Sequence, residues 1–507
     1  MNRNKQLTVN LFSSIMAFII NIGISFFLTP YITRSIGVEA YGFVSLGTQF
    51  INYASLVTIA LNSMAGRFIT IEIHKEDWKS ANKYFNSVLL ANVIIAGFML
   101  IPSALVVAYL DKLVDIPADI VTDVKVLFGF LFTNFLISII GSSFGVSTFA
   151  TNKLHLKSLR EIEARILKAV LLIILFLLFK PAVSYLGFTA VVVMLYITFF
   201  NVYYTVRFLP NLKIKKAYFE IKAVIELAAS GIWNTVIQVG QILLQGLDLL
   251  IANVFISAAV MGSLALAKTI PTLIISLVGV IAGVFVPDFT ILYSKGDRRE
   301  LLKSIKRSMK ILGIIINIPI AILFVFGQEF FMLWVPEQNS AELHLLSVIT
   351  ISALIVSGPI NSIYGVFTVT NRLKANAFVL LCTGVINIVI VFFMLKWTNL
   401  GVYAIAGVST GLAFVRNLVF TAPYGAKYLD MKWSTFFPEI IKSVMSFIVL
   451  MIIGFGLNYF IEIDSWVLWF VSAIVTATAG LIINVIIVLN RNERKYIASR
   501  IMNKISK

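Results

Sequence analysis

Long apolar runs of about twenty residues succeed one another along almost the whole chain, with short polar connections between them. A helix of this length crosses the hydrocarbon core of a bilayer, so each run predicts one transmembrane helix. The pattern therefore predicts an all-α polytopic membrane protein with about fourteen spans. They cover residues 7–29, 41–63, 85–110, 125–148, 166–180, 184–207, 225–255, 260–286, 309–332, 345–368, 375–396, 400–422, 440–461 and 466–489.

The distribution of positive charge along the chain supports this count of spans. If both termini are cytoplasmic, all but six of the 41 Lys and Arg residues fall on the cytoplasmic side. This asymmetry is what the positive-inside rule requires, and it accounts for the net charge of +17 without a nucleic-acid partner. The exceptions are Arg34, Lys112, Lys125, Lys180 and Lys396 on the outer side and Lys268 within a span.

Composition agrees with the same fold class. Hydrophobic residues make up 59% of the chain and charged residues only 13%, which excludes an ordinary soluble domain. The single cysteine, Cys382, lies inside a span, and the three histidines lack the spacing of metal ligands. The sequence therefore predicts neither an intramolecular disulfide nor a metal or organic cofactor.

One predicted span, 225–255, carries five polar side chains at intervals of four, three, four and three residues. With 3.6 residues per turn these intervals place all five on one face, along about 21 Å of helix. Such a face avoids lipid, so it contacts either a neighbouring helix through hydrogen bonds or a water-filled cavity. The number of positions in phase favours the cavity. The residues are Asn234, Gln238, Gln241, Gln245 and Asp248.

Two ionisable residues lie at similar depth in this span and the next one. Asp248 precedes a predicted turn near Ile256, and Lys268 follows it, with a difference in depth of about 6 Å. Ionisable groups within a membrane are functional candidates, although a structural ion pair is the alternative. Asp248 is accordingly a candidate for coupling to H⁺ or Na⁺.

An internal repeat relates the two halves at an offset of 220 residues. The offset maps Asn21 and Ser25 of the first span onto Gln241 and Gln245, and Gly42 onto Gly262. It also maps the loop residues Lys75, Asp77 and Lys83 onto Lys295, Asp297 and Lys303. Six spans per repeat give both halves the same orientation, which predicts two six-helix lobes around a central cavity. Asn21 and Ser25 then join the substrate-cavity candidates.

The repeat divides the chain into four predicted segments. An N-terminal lobe covers residues 1–209, a basic cytoplasmic linker 210–224 and a C-terminal lobe 225–423. Residues 424–507 then hold spans thirteen and fourteen and a cytoplasmic tail. These two spans form a lateral wall for a lipid tail, simple padding or a dimer contact, and the sequence leaves the three open.

Two stretches resemble a known family. The residues TRSIGVEAYG from Thr33 resemble the R-x-hydrophobic-G-x-x-x-aromatic-G signature of Wzx-type polysaccharide flippases. The residues MGSLALAKTIP from Met261, followed by Phe285, Pro287 and Thr290, resemble the central block of that family. The family belongs to the multidrug, oligosaccharidyl-lipid and polysaccharide exporter superfamily.

The resemblance implies a flippase of the bacterial inner membrane that moves undecaprenyl-pyrophosphate-linked oligosaccharide by alternating access, for O-antigen, capsule or similar polymers. It implies membrane lipids and polysaccharide polymerase machinery as partners. Amides suit sugar hydroxyls, which need both donors and acceptors. The candidates for binding the pyrophosphate are Lys268, Arg67, Arg34 and Arg416. Arg67 is equally a headgroup anchor, and Arg34 is more simply a cap on its turn.

Three rival functions remain to be weighed. A lipid II-type flippase fits the same features. A cation-coupled multidrug exporter needs buried acids, but the first six spans contain no acidic residue deep in the bilayer. A membrane-embedded glycosyltransferase or polymerase needs positioned carboxylates or a large external loop, and the external connections here are short. The sequence therefore predicts a transporter and not an enzyme.

Overall fold

The computed structural model describes residues 3–370 and 372–489, and within them the chain is helical, with no β-strand. Thirteen of the described helices are long and apolar enough to cross a membrane, judged by length and composition. The all-α polytopic fold predicted from the apolar runs is confirmed. The C-terminal tail counted in the charge distribution, residues 490–507, lies outside the described residues.

The chain packs into two compact units, residues 1–265 and 266–507, and the division falls within α11. The helices of the first unit, together with α11, are α1 (Arg3–Ile36), α2 (Val38–His74), α3 (Trp78–Ala108), α4 (Leu110–Leu113), α5 (Val121–Ser142), α6 (Val146–Ala150), α7 (Leu154–Leu178), α8 (Ser184–Phe208), α9 (Ile221–Gln241), α10 (Asp248–Phe255) and α11 (Ala258–Ala267). A π-helical segment, Ile242–Gly246, joins α9 to α10.

The helices of the second unit are α12 (Thr269–Ser294), α13 (Arg298–Trp334), α14 (Ser340–Ser352), α15 (Leu354–Val369), α16 (Leu373–Trp397), α17 (Val402–Arg416), α18 (Ala422–Tyr428), α19 (Phe437–Phe460) and α20 (Trp466–Val488). A second π-helical segment, Asn417–Thr421, joins α17 to α18. The central helix of this unit is α13, which packs against α12, α14, α15, α19 and α20.

The exact count of fourteen spans is not confirmed. The predicted span 166–180 corresponds to the second half of α7, which begins at Leu154. The first half of α7 is charged, so the helix fails the test of apolar length that thirteen others pass. Its charged residues are Lys157, Arg160, Glu161, Glu163, Arg165 and Lys168.

The helix boundaries confirm the internal repeat. The starts of α2 and α3, at Val38 and Trp78, correspond to those of α11 and α13, at Ala258 and Arg298. Before α3 and α13 the chain makes the same turn. Glu76 and its counterpart Gly296 have φ of 63° and 72°, which closes the preceding helix with a left-handed residue. The offset of 220 residues therefore relates three-dimensional structure as well as sequence.

The turns also share their N-terminal caps. The side chain of Asp77 accepts a hydrogen bond from the N–H of Ser80 at 3.0 Å, and Asp297 accepts one from Glu300 at 3.1 Å. An Asp at this position satisfies one of the N–H groups that the first turn of a helix leaves unpaired. The bond to Ser80 also lowers the pKa of the Asp77 carboxyl.

Two equivalent glycines of the repeat contact each other. A Cβ added at Gly42 would lie 2.9 Å from the Cα of Gly262, and a Cβ at Gly262 would lie 2.6 Å from the carbonyl oxygen of Val38. Only glycine lets two helix backbones approach this closely. A contact between equivalent positions is the arrangement that a local twofold axis produces.

The basic linker after α8 is bound to the surface of α3. Asn86 accepts a hydrogen bond from the N–H of Lys215 and donates one to the carbonyl of Lys213, both at 2.9 Å. Asn82, one turn earlier, binds the linker backbone in the same way. The buried amides therefore replace the regular pairing that an irregular segment lacks.

The last two spans pack closely within the second unit. The Asn317 amide of α13 donates to the carbonyl of Ser443 on α19 at 2.7 Å. The Asn484 amide of α20 donates to the carbonyl of Ile314 on α13 at 3.1 Å. Buried amides thus fix both helices on α13, while their predicted roles as wall, padding or dimer contact stay open.

Candidate functional site: the polar helix and the candidate cations

The predicted polar helix is present, but its lower part is irregular. Asn234 and Gln238 lie half-buried on α9, and Gln241 and Gln245 are exposed. Asp248 begins α10 and is only 2% exposed. The five residues therefore differ in environment, with two amides accessible and the carboxylate buried.

The prediction that all five side chains share one face is wrong in its last step. The π-helical segment Ile242–Gly246 inserts an extra residue between Gln241 and Asp248. One extra residue turns the following helix by about 100° relative to a regular α-helix. Asp248 is consequently rotated away from the predicted face, and its carboxylate lies at the N-terminus of α10, where the helix dipole favours negative charge.

Helix α2 stabilises this irregular segment. The hydroxyl of Tyr53 donates a hydrogen bond to the carbonyl of Gly246 at 2.5 Å. A π-helical turn changes the backbone pairing, so a side-chain donor at this point satisfies a carbonyl inside the membrane. Closer to the N-terminus of α9, at the same contact with α2, the Asn234 amide donates to the hydroxyl of Ser63 at 3.2 Å. Asn234 therefore serves packing between α2 and α9 as well as the polar face.

The close approach of α2 and α9 depends on a glycine. A Cβ at Gly231 would lie 1.9 Å from the carbonyl oxygen of Ala60. After the π segment, Asn253 of α10 is 1% exposed. It accepts a hydrogen bond from the N–H of Asp115 at 2.7 Å and donates one to the carbonyl of Asp115 at 2.9 Å. The polar helix is thus positioned at both ends by contacts within the first unit.

The predicted turn near Ile256 is confirmed, since α10 ends at Phe255 and α11 begins at Ala258. Lys268, by contrast, lies at a break that the apolar pattern did not predict. It separates α11 from α12 and is half-buried. Pro271 causes the break, because it has no N–H to donate to the carbonyl of Ala267.

A serine of α14 compensates for the missing donor. The hydroxyl of Ser347 donates to the Ala267 carbonyl at 2.6 Å, and Ser347 is fully buried. The hydroxyl of Thr272 donates to the carbonyl of Lys268 at 2.8 Å. Both backbone carbonyls at the helix break therefore have a hydrogen-bond donor, and Lys268 lies at the vertex of the break.

The first-span candidates lie on α1. Asn21 and Ser25 are half-buried, and α1 packs mainly against α7. Arg34 is exposed in the last turn of α1, where a cation interacts favourably with the helix dipole. This position agrees with the capping role weighed for Arg34 in the sequence.

Arg67 and Arg416 have contrasting environments. Arg67 is exposed two turns before the end of α2, and among residues 3–370 and 372–489 its guanidinium has no hydrogen-bond or ion-pair partner. Arg416 is half-buried at the end of α17, and its Nη2 donates to the hydroxyl of Tyr364 at 2.9 Å. Its Nε is buried with no hydrogen-bond partner within the described part of the chain.

The contacts of Arg416 extend into the second π segment. The hydroxyl of Tyr364 donates to the side-chain oxygen of Asn417 at 2.7 Å, and the hydroxyl of Thr421 donates to the same oxygen at 3.0 Å. Asn417 is 1% exposed. This network was missed in the sequence, although an Arg–Asn pair inside an apolar span is a visible signal. Tyr53 was missed as well, because a bond to a backbone carbonyl leaves no periodic pattern.

Comparison with known proteins identifies the family. Residues 7–292, more than half of the chain, match the family described as polysaccharide biosynthesis protein. The chain belongs to this family. It is also 26% identical to EpsK of Bacillus subtilis (strain 168), described as an uncharacterized membrane protein, over 98% of both chains. The resemblance to Wzx-type polysaccharide flippases is therefore confirmed.

Solved structures show the same fold. An inward-facing multidrug resistance MATE transporter of the MOP superfamily matches with a TM-score of 0.64 and 14% identity, over 83% of this chain and 98% of that one. The lipid II flippase MurJ in an inward closed conformation matches with a TM-score of 0.62 and 11% identity, over 94% of this chain and 97% of that one. The chain thus has the fold of membrane transporters and flippases.

Proposed function

We propose that the protein flips undecaprenyl-pyrophosphate-linked oligosaccharide repeat units from the inner to the outer leaflet of the bacterial cytoplasmic membrane. The repeat units would supply a surface polysaccharide such as O-antigen or capsule, with the polymerase machinery as the next partner. The protein acts as a transporter, not an enzyme. Its family membership and its flippase fold support this assignment.

The observation that carries the proposal is the exposure of Gln241 and Gln245 in an apolar, membrane-spanning sequence. An amide in hydrocarbon leaves its donors and acceptors unsatisfied, so both side chains need water or a polar substrate. Each amide offers two donors and one acceptor oxygen, a combination that matches sugar hydroxyls. Asn234, Gln238, Asn21 and Ser25 contribute further polar groups from half-buried positions.

Cations would neutralise the pyrophosphate during its passage. Lys268, at the vertex between α11 and α12, is the first candidate, because a break in a membrane helix positions backbone and side chain for a ligand. Arg67 is exposed, whereas Arg416 is half-buried and its Nη2 already donates to Tyr364, so Arg67 is the more accessible of the two. Arg34 contributes only if the substrate reaches the last turn of α1.

Transport follows alternating access with both termini in the cytoplasm, the orientation that the positive-inside rule favours. Asp248 is the proposed coupling residue for H⁺ or Na⁺. Its burial at the start of α10 makes its charge state sensitive to the conformation around it. A change in protonation or ion occupancy at this carboxylate would then bias one conformation over the other.

Deletion of the gene tests the assignment. We expect undecaprenyl-pyrophosphate-linked oligosaccharide to accumulate in extracted lipids while the surface polymer is lost. Accumulation of lipid II would indicate a lipid II flippase instead. Unchanged lipid intermediates with new drug sensitivity would contradict the proposal and indicate multidrug export.

Substitution of Lys268 tests the pyrophosphate role. We expect Lys268→Met to abolish export while the protein still inserts, and Lys268→Arg, which keeps the charge, to retain part of it. Surface polymer per unit of membrane-inserted protein is the measurement. Normal export by Lys268→Met would exclude the role, and restored export in the Asp248→Asn/Lys268→Met double variant would indicate a structural pair.

A further inference from the structure

A cavity with several polar side chains lies wholly within the first unit, and no residue of α9 lines it. Its volume is about 360 Å³, and its walls come from α2, α3, α7, α8 and the segment that follows α5. Ligand pockets start at about 300 Å³, so this one is large enough for a small head group but not for a whole repeat unit. We infer that it is a binding site for a neutral sugar.

Fixed amide and hydroxyl groups form one wall. Asn62 lines the cavity and exchanges two amide hydrogen bonds with Asn92, at 3.0 and 3.3 Å. Asn92 is fully buried and also donates to the hydroxyls of Ser142 and Ser143 at 3.4 and 3.1 Å. Because these groups hold one another in place, they present donors and acceptors at set positions, as a polyhydroxyl ligand requires.

Arg160 of α7 also lines the cavity. Arg160 pairs with Glu163 at 2.6 Å and donates to the hydroxyl of Tyr196 at 3.3 Å. Its guanidinium carbon also lies 4.3 Å from the centre of the Phe200 ring. The Nε of Arg160 is buried, yet it has no hydrogen-bond partner in the described part of the chain. The contacts with Glu163, Tyr196 and Phe200 therefore hold the guanidinium in one orientation beside the cavity.

Charge balance favours a neutral ligand over a phosphate. Arg160 is paired with Glu163, and Lys157 lies 3.8 Å from Glu161. Each cation at the cavity therefore has an acid beside it, and the local charge is close to zero. A phosphate dianion would meet the two carboxylates as well as the cations, whereas a sugar hydroxyl donates to the first and accepts from the second.

The mouth of the cavity is at the start of α7. Lys157 and Glu161 are 59% and 47% exposed, whereas Asn62 and Asn201 are half-buried. In the orientation proposed above, this edge faces the cytoplasm. The inference thus rests on the proposed function, and it assigns to the cavity the recognition of one sugar of the substrate on the side where it enters.

One glycine in the wall, with a second glycine outside the cavity as its control, provides a direct test. A Cβ at Gly66, which lines the cavity, would meet no atom within 4 Å. Gly66→Leu should therefore add bulk at the cavity, since its Cβ meets no wall atom. Gly97 of α3 is exposed, lies outside the cavity and also has open space around it. Gly97→Leu is thus the matched control.

The experiment is saturation-transfer NMR with the full-length protein in lipid nanodiscs. The probe is a mixture of glucose, galactose, N-acetylglucosamine and N-acetylgalactosamine. We expect at least one sugar to give a signal with the wild type and with Gly97→Leu, and none with Gly66→Leu. Asn201→Ala, which removes an amide from the cavity without adding bulk, should weaken the signal if Gly66→Leu does not fold.

Three outcomes would overturn the inference. They are a signal from no sugar, an undiminished signal with Gly66→Leu or Asn201→Ala, and displacement of the sugar by inorganic pyrophosphate, which would indicate an anion site. The gene deletion tests the proposed function separately. Lipid-linked oligosaccharide can accumulate in the deletion strain when the cavity binds no sugar, and the purified protein can bind a sugar when no such lipid accumulates.

Discussion

The two halves of the repeat differ most clearly in their first two helices. In the first half α1 and α2 are each continuous. In the second half the counterpart of α1 is interrupted by the π segment Ile242–Gly246, and the counterpart of α2, residues 258–294, is divided at Lys268. Both irregularities fall in the half that holds most of the candidate transport residues.

One residue explains why the counterpart of α2, residues 258–294, is divided into two helices. Pro271 of the second half stands where the first half has Ile51. Proline removes the donor to the carbonyl four residues earlier, so the helix cannot continue regularly. The comparison teaches that one copy of a repeated membrane helix can become irregular where a neighbouring side chain donates to the backbone carbonyl that has lost its helical donor. Ser347 does this at the break, and Tyr53 does it at the π segment.

The largest expected effect comes from introducing the break into the first half. Ile51→Pro should destabilise the protein by about 3 kcal/mol, because it removes a helical hydrogen bond and its ring clashes with the preceding turn. α2 is continuous and half-buried at this position. The loss should appear as a lower thermal unfolding temperature of the purified protein. An unchanged unfolding temperature would show that the two halves tolerate the break equally.

The converse substitution, which removes the break from the second half, tests its role in transport. Pro271→Ile restores a donor for the Ala267 carbonyl, so we expect stability to be kept or raised. Export should nevertheless fall, because a continuous helix would no longer hold Lys268 at a vertex. Surface polymer measured beside the unfolding temperature distinguishes the two effects. Full export by Pro271→Ile would mean that the break has no role in transport.

The parts of the fold that could be predicted are those set by local sequence. The spans follow from apolar length, and the turn before α3 and α13 follows from the capping residues Asp77 and Asp297. The turn near Ile256 was predicted because it separates two apolar runs. Each of these features depends on residues within a few turns of one another.

The irregular features could not be predicted because their causes are distant in sequence. The spacing from Asn234 to Asp248 fits a regular helix, whereas Tyr53, almost two hundred residues away, donates a hydrogen bond to the π segment that rotates Asp248. Pro271 was visible, but Ser347, which makes the break tolerable, was not a recognisable partner. The cavity beside Asn62 and Asn92 is assembled from five separate segments and leaves no periodic signal.

A smaller effect is expected at Ser347, the donor that compensates for the break. Ser347→Ala should cost about 2 kcal/mol, since the Ala267 carbonyl would be buried without its donor. Ser276→Ala is the control, because the Ser276 hydroxyl is exposed and donates only to the carbonyl of Thr272 in its own helix. The unfolding temperatures of the two variants should differ clearly. Equal values would contradict the compensating role of Ser347.

The smallest effect is expected at the π segment. Tyr53→Phe removes a single hydrogen bond to the Gly246 carbonyl and should cost about 1 kcal/mol. Tyr459→Phe, at a side chain that is 85% exposed, is the control and should change nothing. If export falls with Tyr53→Phe by more than the stability loss explains, the segment positions the exposed amides for transport. If export and stability both stay at wild-type values, the π segment forms without Tyr53, and the irregularity of the second half has its cause in α9 and α10 themselves.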